Sequence, residues 1–454
     1  MPSLPSATVP LKERLSYATA LGGQNLMYTF VNFFILIFYT DVMGITPAAA
    51  GAMFLAARIW DAYNDLIMGV IVDRTRSRWG KCRPFLLYMA LPIAVTTALL
   101  FYVPALSGRG RLVYVWITYI LWGMVYTSGD IPLWTLSGRI SPLTEDRNTL
   151  ISWARIAGAL GTAAAVLLTV PLKNLFQTER ASGYFGVALI FCAIGFLSIV
   201  QAGLITRERT MRQSSGRERK AGVNDSLRAI FSNGPLMMVL LSYLIAVLPG
   251  LQTILMMHFA KYNLRDESLM TMIAGISLVS MAVGAGLVPW LTKRIEGKKL
   301  VILSGVILAA LGTLMYLIGY GNVIAFYVFA AAWGLFNGFP DVIRTTMIAN
   351  TVEYMEKKTG KRNEGTIFST LTFIGKLTAG LGKFLAGILL TVVGFKANAA
   401  QSPQALQGIF MAMTLIPGIG SLLMIIPLFF YRIDDKAHRQ LVSELGLMDA
   451  GAEP

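Results

Sequence analysis

Three oxygen-bearing side chains, Asp61, Asn64 and Asp65, interrupt an apolar stretch that runs from Gly51-Ala52-Met53-Phe54-Leu55-Ala56-Ala57 to Val70-Ile71-Val72. On a helix they fall at i, i+3 and i+4, so they point the same way and can converge on one small cation. A hard cation takes several oxygen ligands, and a carboxylate can equally carry a proton. Arg58 stands one turn before Asp61, and an ion pair between the two is the competing structural reading; it leaves Asp65 unexplained. A second group lies further on, Tyr126-Thr127 followed by Asp130-Ile131-Pro132 and Trp134. Thr127 and Asp130 share nearly one face, with Trp134 a turn beyond and Pro132 loosening the backbone between them. A carboxylate beside an aromatic platform suits a carbohydrate, because the two satisfy its hydroxyl edge and its C–H face separately. For Trp134 alone, anchoring at a membrane interface is the plain alternative.

Such residues need a scaffold that holds charge inside apolar surroundings. The chain has 454 residues, 55% hydrophobic and 14% charged, with mean hydropathy +0.61, too apolar for a soluble domain of this length. Apolar blocks of roughly 20 residues, enough to cross a bilayer as helix, recur along it. They place twelve spans near 15–40, 44–72, 83–105, 112–138, 150–175, 184–206, 234–262, 268–293, 299–320, 322–354, 366–394 and 405–431. Carboxylates at membrane depth are costly and mark function.

Basic residues set the orientation. Arg74, Arg76, Arg78, Lys81 and Arg83 follow the second span, Lys293, Arg294, Lys298 and Lys299 the eighth, and Lys357, Lys358, Lys361 and Arg362 the tenth. The connections at 46–48 and 319–322 have no Lys or Arg. The positive-inside rule puts the basic loops and both termini in the cytoplasm. The net charge of +15 is then a topology signal, and no nucleic-acid partner is needed to explain it. No short apolar run with a small-residue cleavage site precedes the first span, so a cleavable signal peptide is not expected. Cys82 and Cys192 are the only cysteines, which gives neither a disulfide framework nor a thiolate metal site.

The polar stretch 207–233 reads as a cytoplasmic linker between an N-terminal six-helix bundle, 1–206, and a C-terminal one, 234–431, with a cytoplasmic tail at 432–454. A faint internal echo supports the split: Gly69, Asp73 and Arg74 after span two, and Gly286, Pro289, Lys293 and Arg294 at the end of span eight. Enzyme chemistry is not expected. The only histidines are His258, read as an interfacial residue, and His438; there is no phosphate-binding Gly-rich loop ending in Lys-Ser or Lys-Thr and no His-Glu-x-x-His.

Two six-helix halves around a path, with Gly69-x-x-x-Asp73-Arg74, resemble the major facilitator plan. Three longer motifs narrow the resemblance: Arg58-Ile59-Trp60-Asp61-Ala62-x-Asn64-Asp65, then Asp73-Arg74-Thr75-Arg76-Ser77-Arg78-Trp79-Gly80-Lys81, then Tyr126-Thr127-x-x-Asp130-Ile131-Pro132-x-Trp134. Together they resemble the glycoside–pentoside–hexuronide:cation symporters, with fainter similarity from about Leu15 to Arg432. The resemblance implies an all-α membrane protein of major facilitator fold that imports a sugar or glycoside with Na+, Li+ or a proton. Asp61, Asn64, Asp65 and Thr127 then hold the cation, as metal ligands if it is Na+. Substrate positions carried over are Gln24, Asn25, Tyr126, Asp130, Trp134, Arg155, Asp341, Arg344, Thr372 and Lys376.

The chain departs from the melibiose branch of that family in helix one, where Gln24 and Asn25 stand in place of an ion pair. Gly22-Gly23 beside them suits either a local break or close helix packing. Asp341 stands where that branch has a Trp, and it pairs readily with Arg344 at i+3. Lys376 sits within an apolar, Gly- and Thr-containing stretch and is expensive there without an anionic partner. Arg155, Lys376 and Arg344 against Asp130 and Asp341 suit an anionic substrate, a hexuronide or a sulfonated sugar. Arg147, Glu353 and Arg362 are candidate gate residues, pairing across the halves in one state and parting in the other; a solvated loop is the alternative. The expectation is a monomer in the bacterial inner membrane, partnered by lipid, sugar and a monovalent cation, with no other cofactor. A sugar uniporter without cation coupling, or a sugar-sensing receptor on the same fold, is the alternative.

Overall fold

In the computed structural model, which describes residues 9–75, 77–141, 144–176, 180–209, 231–359, 364–433 and 435–444, each apolar block is a helix, and no strand occurs among those residues. The first half contains α1 (Leu11–Ile37, ending in a π turn at Phe38–Val42), α2 (Pro47–Arg74), α3 (Arg83–Leu100), α4 (Gly108–Ile140), α5 (Thr144–Leu175) and α6 (Arg180–Ile205). The second contains α7 (Gly234–Ile245 and Val247–His258), α8 (Ser268–Leu291), α9 (Gly297–Ile318), α10 (Val323–Thr359), α11 (Glu364–Val392), α12 (Pro403–Met413 and Leu415–Phe429) and a short α13 (Asp435–Glu444). Eleven helices among the described residues are long and apolar enough to span a membrane. The 28-residue α2 is equally long and is broken in its apolarity by Arg58, Asp61, Asn64 and Asp65. Twelve spanning helices agree with the number read from the sequence.

Proline chemistry explains where two of them break. Pro249 and Pro417 lack the N–H that would bond the carbonyl four residues earlier, and the first pieces of α7 and α12 end at those carbonyls, Ile245 and Met413. Pro47 instead stands in the first turn of α2, where its missing N–H costs nothing.

The chain divides into two compact units, Met1–Ser215 and Gly216–Pro454. In the first, α1 is pressed between α5 and α6 by small residues. A Cβ on Gly161 would lie 2.1 Å from the Gly22 carbonyl oxygen, and one on Gly23 would lie 2.8 Å from the Ser198 side chain. The Gly22-Gly23 pair is therefore a packing device, one glycine for each neighbour, and α1 runs through it unbroken. One end of this unit is laced by ionic contacts. Glu208 accepts from the backbone N–H groups of Lys81, Cys82 and Arg83 at 2.8–3.0 Å, which caps the start of α3. Arg209 meets Glu13 at 2.5 Å; this hydrogen bonding raises the Arg209 pKa, so the guanidinium stays charged.

In the second unit a core of residues such as Leu236, Val301, Ile348 and Leu428 is closed at one end by Ile433 and Leu441, the latter on α13. The segment 432–454, expected only as a tail, thus contributes a helix to the packing.

Candidate functional site

α2 lies against α4, and α4 supplies what the polar side chains of α2 need. Arg58 donates through Nη1 to Asp61 Oδ2 at 2.9 Å, both side chains nine-tenths or more buried. The other Asp61 oxygen rests against Gly123: a Cβ there would lie 2.7 Å from Oδ1. Asn64 donates through Nδ2 to the Met124 carbonyl at 3.4 Å, which turns its Oδ1 away from that backbone. Thr127 donates to Asp65 Oδ1 at 3.1 Å. The structure therefore brings Asp61, Asn64, Asp65 and Thr127 to one helix contact, and it realises the Arg58–Asp61 pair as well. The Arg58–Asp61 pair does not involve Asp65, which meets Thr127 instead. Among the described residues no three His, Cys, Asp or Glu side chains form a metal cluster; the donors here are carboxylate, amide and hydroxyl oxygens, the hard type a Na+ ion accepts.

One turn along α4, Asp130 Oδ1 accepts from Gln24 Nε2 of α1 at 2.7 Å, with Gln24 only 3% exposed. The amide of α1 thus contacts the α4 carboxylate directly, a link between two helices that no local spacing announces. Tyr126 has its ring centroid 5.3 Å from those of Tyr28 and Trp122, and Trp122 is fixed by a hydrogen bond from Nε1 to Thr97 at 3.0 Å. Asn25 bonds back to Leu21 O on its own helix at 2.9 Å. Trp134 and Arg155 are exposed on α4 and α5. No described contact joins either of them to Asp130.

In the second unit Arg344 is buried and donates to Pro340 O at 3.1 Å and Ser242 O at 3.3 Å, with its guanidinium 4.3 Å from the centre of the Tyr243 ring. Asp341 is exposed, and no ion pair joins it to Arg344: the guanidinium is drawn inward by backbone carbonyls and an aromatic face, while the carboxylate stays outside. Lys376 is half-buried on α11. Lys383, seven residues on and so on the same face, is 3% exposed, a second lysine within the same apolar stretch. His258, expected at an interface, is fully buried, its ring edge-on to Phe395 at 5.4 Å. His258 is the last residue of the second piece of α7, directly before a π turn at Phe259–Asn263. Glu353 lies 3.6 Å from His438 of α13, and Lys357 meets Glu444 of the same helix. Arg362 lies outside the described residues, as do the side chains of Arg147 and Thr372.

Polar pairs set into a scaffold of twelve spanning helices define a membrane transporter of the major facilitator type, and the fold is shared with solved transporters of that kind. A variant of the nucleoside transporter NupG superposes with TM-score 0.67 at 14% identity, over 92% of this chain and 99% of that one. A bacterial homologue of the lysosomal transporter Spinster superposes with TM-score 0.67 at 13% identity, over 97% and 98%. Residues 16–435 match the family model described as MFS/sugar transport protein, and the chain belongs to that family. It is 34% identical over 444 residues to the isoprimeverose transporter of Lactiplantibacillus pentosus, covering 96% of this chain and 91% of that protein. It is 29% identical to a glucuronide carrier protein homologue of Escherichia coli, covering 96% of each, and 28% identical to a putative sulfoquinovose importer of Salmonella typhimurium, covering 96% and 92%. The resemblance seen in the motifs and the expectation of a transporter in place of an enzyme both agree with this membership.

Proposed function

We propose that this protein imports a sugar or glycoside by symport with Na+ or a proton, through alternating access. The observation that carries the reading is the double engagement of α4: Thr127 holds Asp65 on one side, and Asp130, three residues later on nearly the same face, holds Gln24. A cation at Asp61, Asn64, Asp65 and Thr127 neutralises the carboxylates and fixes α4 against α2, which sets the position of Asp130 for sugar hydroxyls. By reciprocity the sugar tightens cation binding, with a coupling of about 1–3 kcal/mol typical of such linkage. The protein works in the bacterial inner membrane with both termini cytoplasmic, a reading supported by the basic loops.

The substrate class we propose is a sugar bearing an anionic group. Its support is the relatives named for glucuronide and sulfoquinovose. The isoprimeverose relative speaks for a neutral glycoside, so the test sets the two against each other. Vesicles containing only this protein are given an inward Na+ or proton gradient and offered labelled hexuronides, sulfonated sugars and neutral disaccharides. Accumulation driven by one gradient supports symport; flux that ignores both gradients indicates a uniporter, and binding without flux a receptor. Competition by neutral sugars alone removes the anionic substrate.

A further inference from the structure

Helices α8 and α10 cross where glycines bring their backbones together: a Cβ on Gly334 would lie 2.4 Å from Ser277 O, and one on Gly338 2.5 Å from Met281 O. The same face of α10 continues, four residues at a time, as Val342, Thr346 and Asn350. At that level the two helices are separated by a cleft of about 280 Å³, walled on the α8 side by Val288, Pro289 and Thr292, with Lys298 of α9 also lining it. Val288, Pro289, Val342 and Ile343 make part of its lining apolar. Thr292, Lys298 and Asn350 make the rest polar, and the Asn350 amide has no hydrogen-bond partner among the described residues.

The surroundings are those of a membrane boundary. An exposed apolar stripe, Val279, Val283 and Leu287, runs along α8 to Trp290, itself 53% exposed. Arg294 covers the Trp290 ring at 4.8 Å, an aromatic and basic pairing suited to the headgroup level. Beyond it the connection to α9 is positive: Glu296, the one acidic residue between Leu291 and Leu300, is taken by Lys299 at 3.1 Å. Lys293 and Arg294 are left exposed with no acidic partner among the described residues. Lys298 spends two donors on the C-terminal end of α12, bonding Tyr431 O at 2.8 Å and Phe429 O at 3.4 Å, and keeps a third.

We propose that this cleft binds one anionic phospholipid. The phosphate sits at the Asn350 amide and the third Lys298 donor, in the positive field of Lys293 and Arg294, and an acyl chain lies over Val288, Pro289 and Val342. A neutral lipid leaves the basic rim unused, and a free anion leaves the apolar wall wet. The bound lipid joins the end of α8 to α10 below the point where glycine packing stops, so it stabilises the folded unit by mass action.

The test uses full-length protein stripped of lipid in a neutral detergent and titrated with phosphatidylglycerol, phosphatidylcholine or water-soluble glycerol phosphate. Thermal unfolding and retained mass in native mass spectrometry are the readouts. Phosphatidylglycerol alone is expected to raise the midpoint, with one lipid retained per chain. Lys293→Gln with Arg294→Gln, both on the surface, is expected to weaken the effect roughly thirty-fold, from about one interfacial charge's worth of binding each. Thr346→Phe, which fills the cleft from an exposed position, is expected to abolish it. An equal response to phosphatidylcholine overturns the proposal, as does an equal response to glycerol phosphate, or retention unchanged in the charge variant. If Thr346→Phe does not fold, the charge variant decides alone.

Discussion

Arg58 and Asp61 form an ion pair within one turn of α2, Nη1 to Oδ2 at 2.9 Å, with 5% and 10% of their side chains exposed. The Arg58 Nε and Nη2 atoms are buried and make no hydrogen bond among the described residues, so the guanidinium leans heavily on this one carboxylate. Breaking a buried pair from one side typically costs about 3–5 kcal/mol, because the other charge stays behind. Arg58→Gln is therefore expected to lower the thermal midpoint strongly, and Arg58→Gln with Asp61→Asn to recover most of the loss. Unfolding followed in detergent checks this; a double variant as unstable as the single would show that the pair is not the source.

Asp65 is held differently, accepting a hydrogen bond from the Thr127 hydroxyl of the neighbouring helix. Asp65→Asn is expected to abolish gradient-driven uptake while sugar binding survives in weakened form. Thr127→Val removes a hydrogen bond to a charged group, worth about 1.5–3 kcal/mol, and is expected to weaken the response to the coupling cation roughly ten- to hundred-fold. Sugar binding measured across a Na+ or proton titration reads both. Equal loss of uptake and sugar binding in Asp65→Asn would place the cluster in the sugar pocket or the scaffold.

The twelve helices were legible because each apolar block is about as long as a bilayer is thick, and their ends moved by only a few residues. The α2 cluster was legible for the opposite reason, since polar side chains in such a block stand out. What escaped was pairwise and non-local. Gln24 and Asp130 are distant in sequence, and nothing in either segment says that they meet at 2.7 Å. Arg344 and Asp341 have the spacing of an ion pair, yet Tyr243 and two carbonyls outbid the carboxylate for the guanidinium.

Gly123 is a glycine whose role only the neighbour reveals. Gly123→Ala puts a methyl 2.7 Å from the Asp61 carboxylate oxygen, a side-chain atom that can shift, so the protein is expected to fold with a loss of about 1–3 kcal/mol. Its coupling cation response should fall, since Asp61 is displaced. Gly161→Ala meets the Gly22 carbonyl at 2.1 Å, which is backbone, and is expected to prevent folding of the first unit. Comparing yield of monodisperse protein for the two variants checks the distinction; equal yields would mean that the α1–α5 crossing yields as easily as a side chain.

Glu208 and Gly80 make one device. The carboxylate receives three backbone N–H groups at the start of α3, and Gly80, at φ +106°, leaves it room: a Cβ there would lie 2.4 Å from the carboxylate. Losing a helix cap costs about 0.5–2 kcal/mol, and losing a negative charge at an N-terminus about 0.3–1 kcal/mol more, so Glu208→Ala is expected to cost about 2 kcal/mol. Gly80→Ala strains the backbone and also evicts the carboxylate from its cradle. If the second effect dominates, the two changes are not additive, and Gly80→Ala with Glu208→Ala should be little less stable than Glu208→Ala alone. Full additivity in thermal unfolding would instead assign the cost of Gly80→Ala to the positive φ, with the Glu208 cap intact.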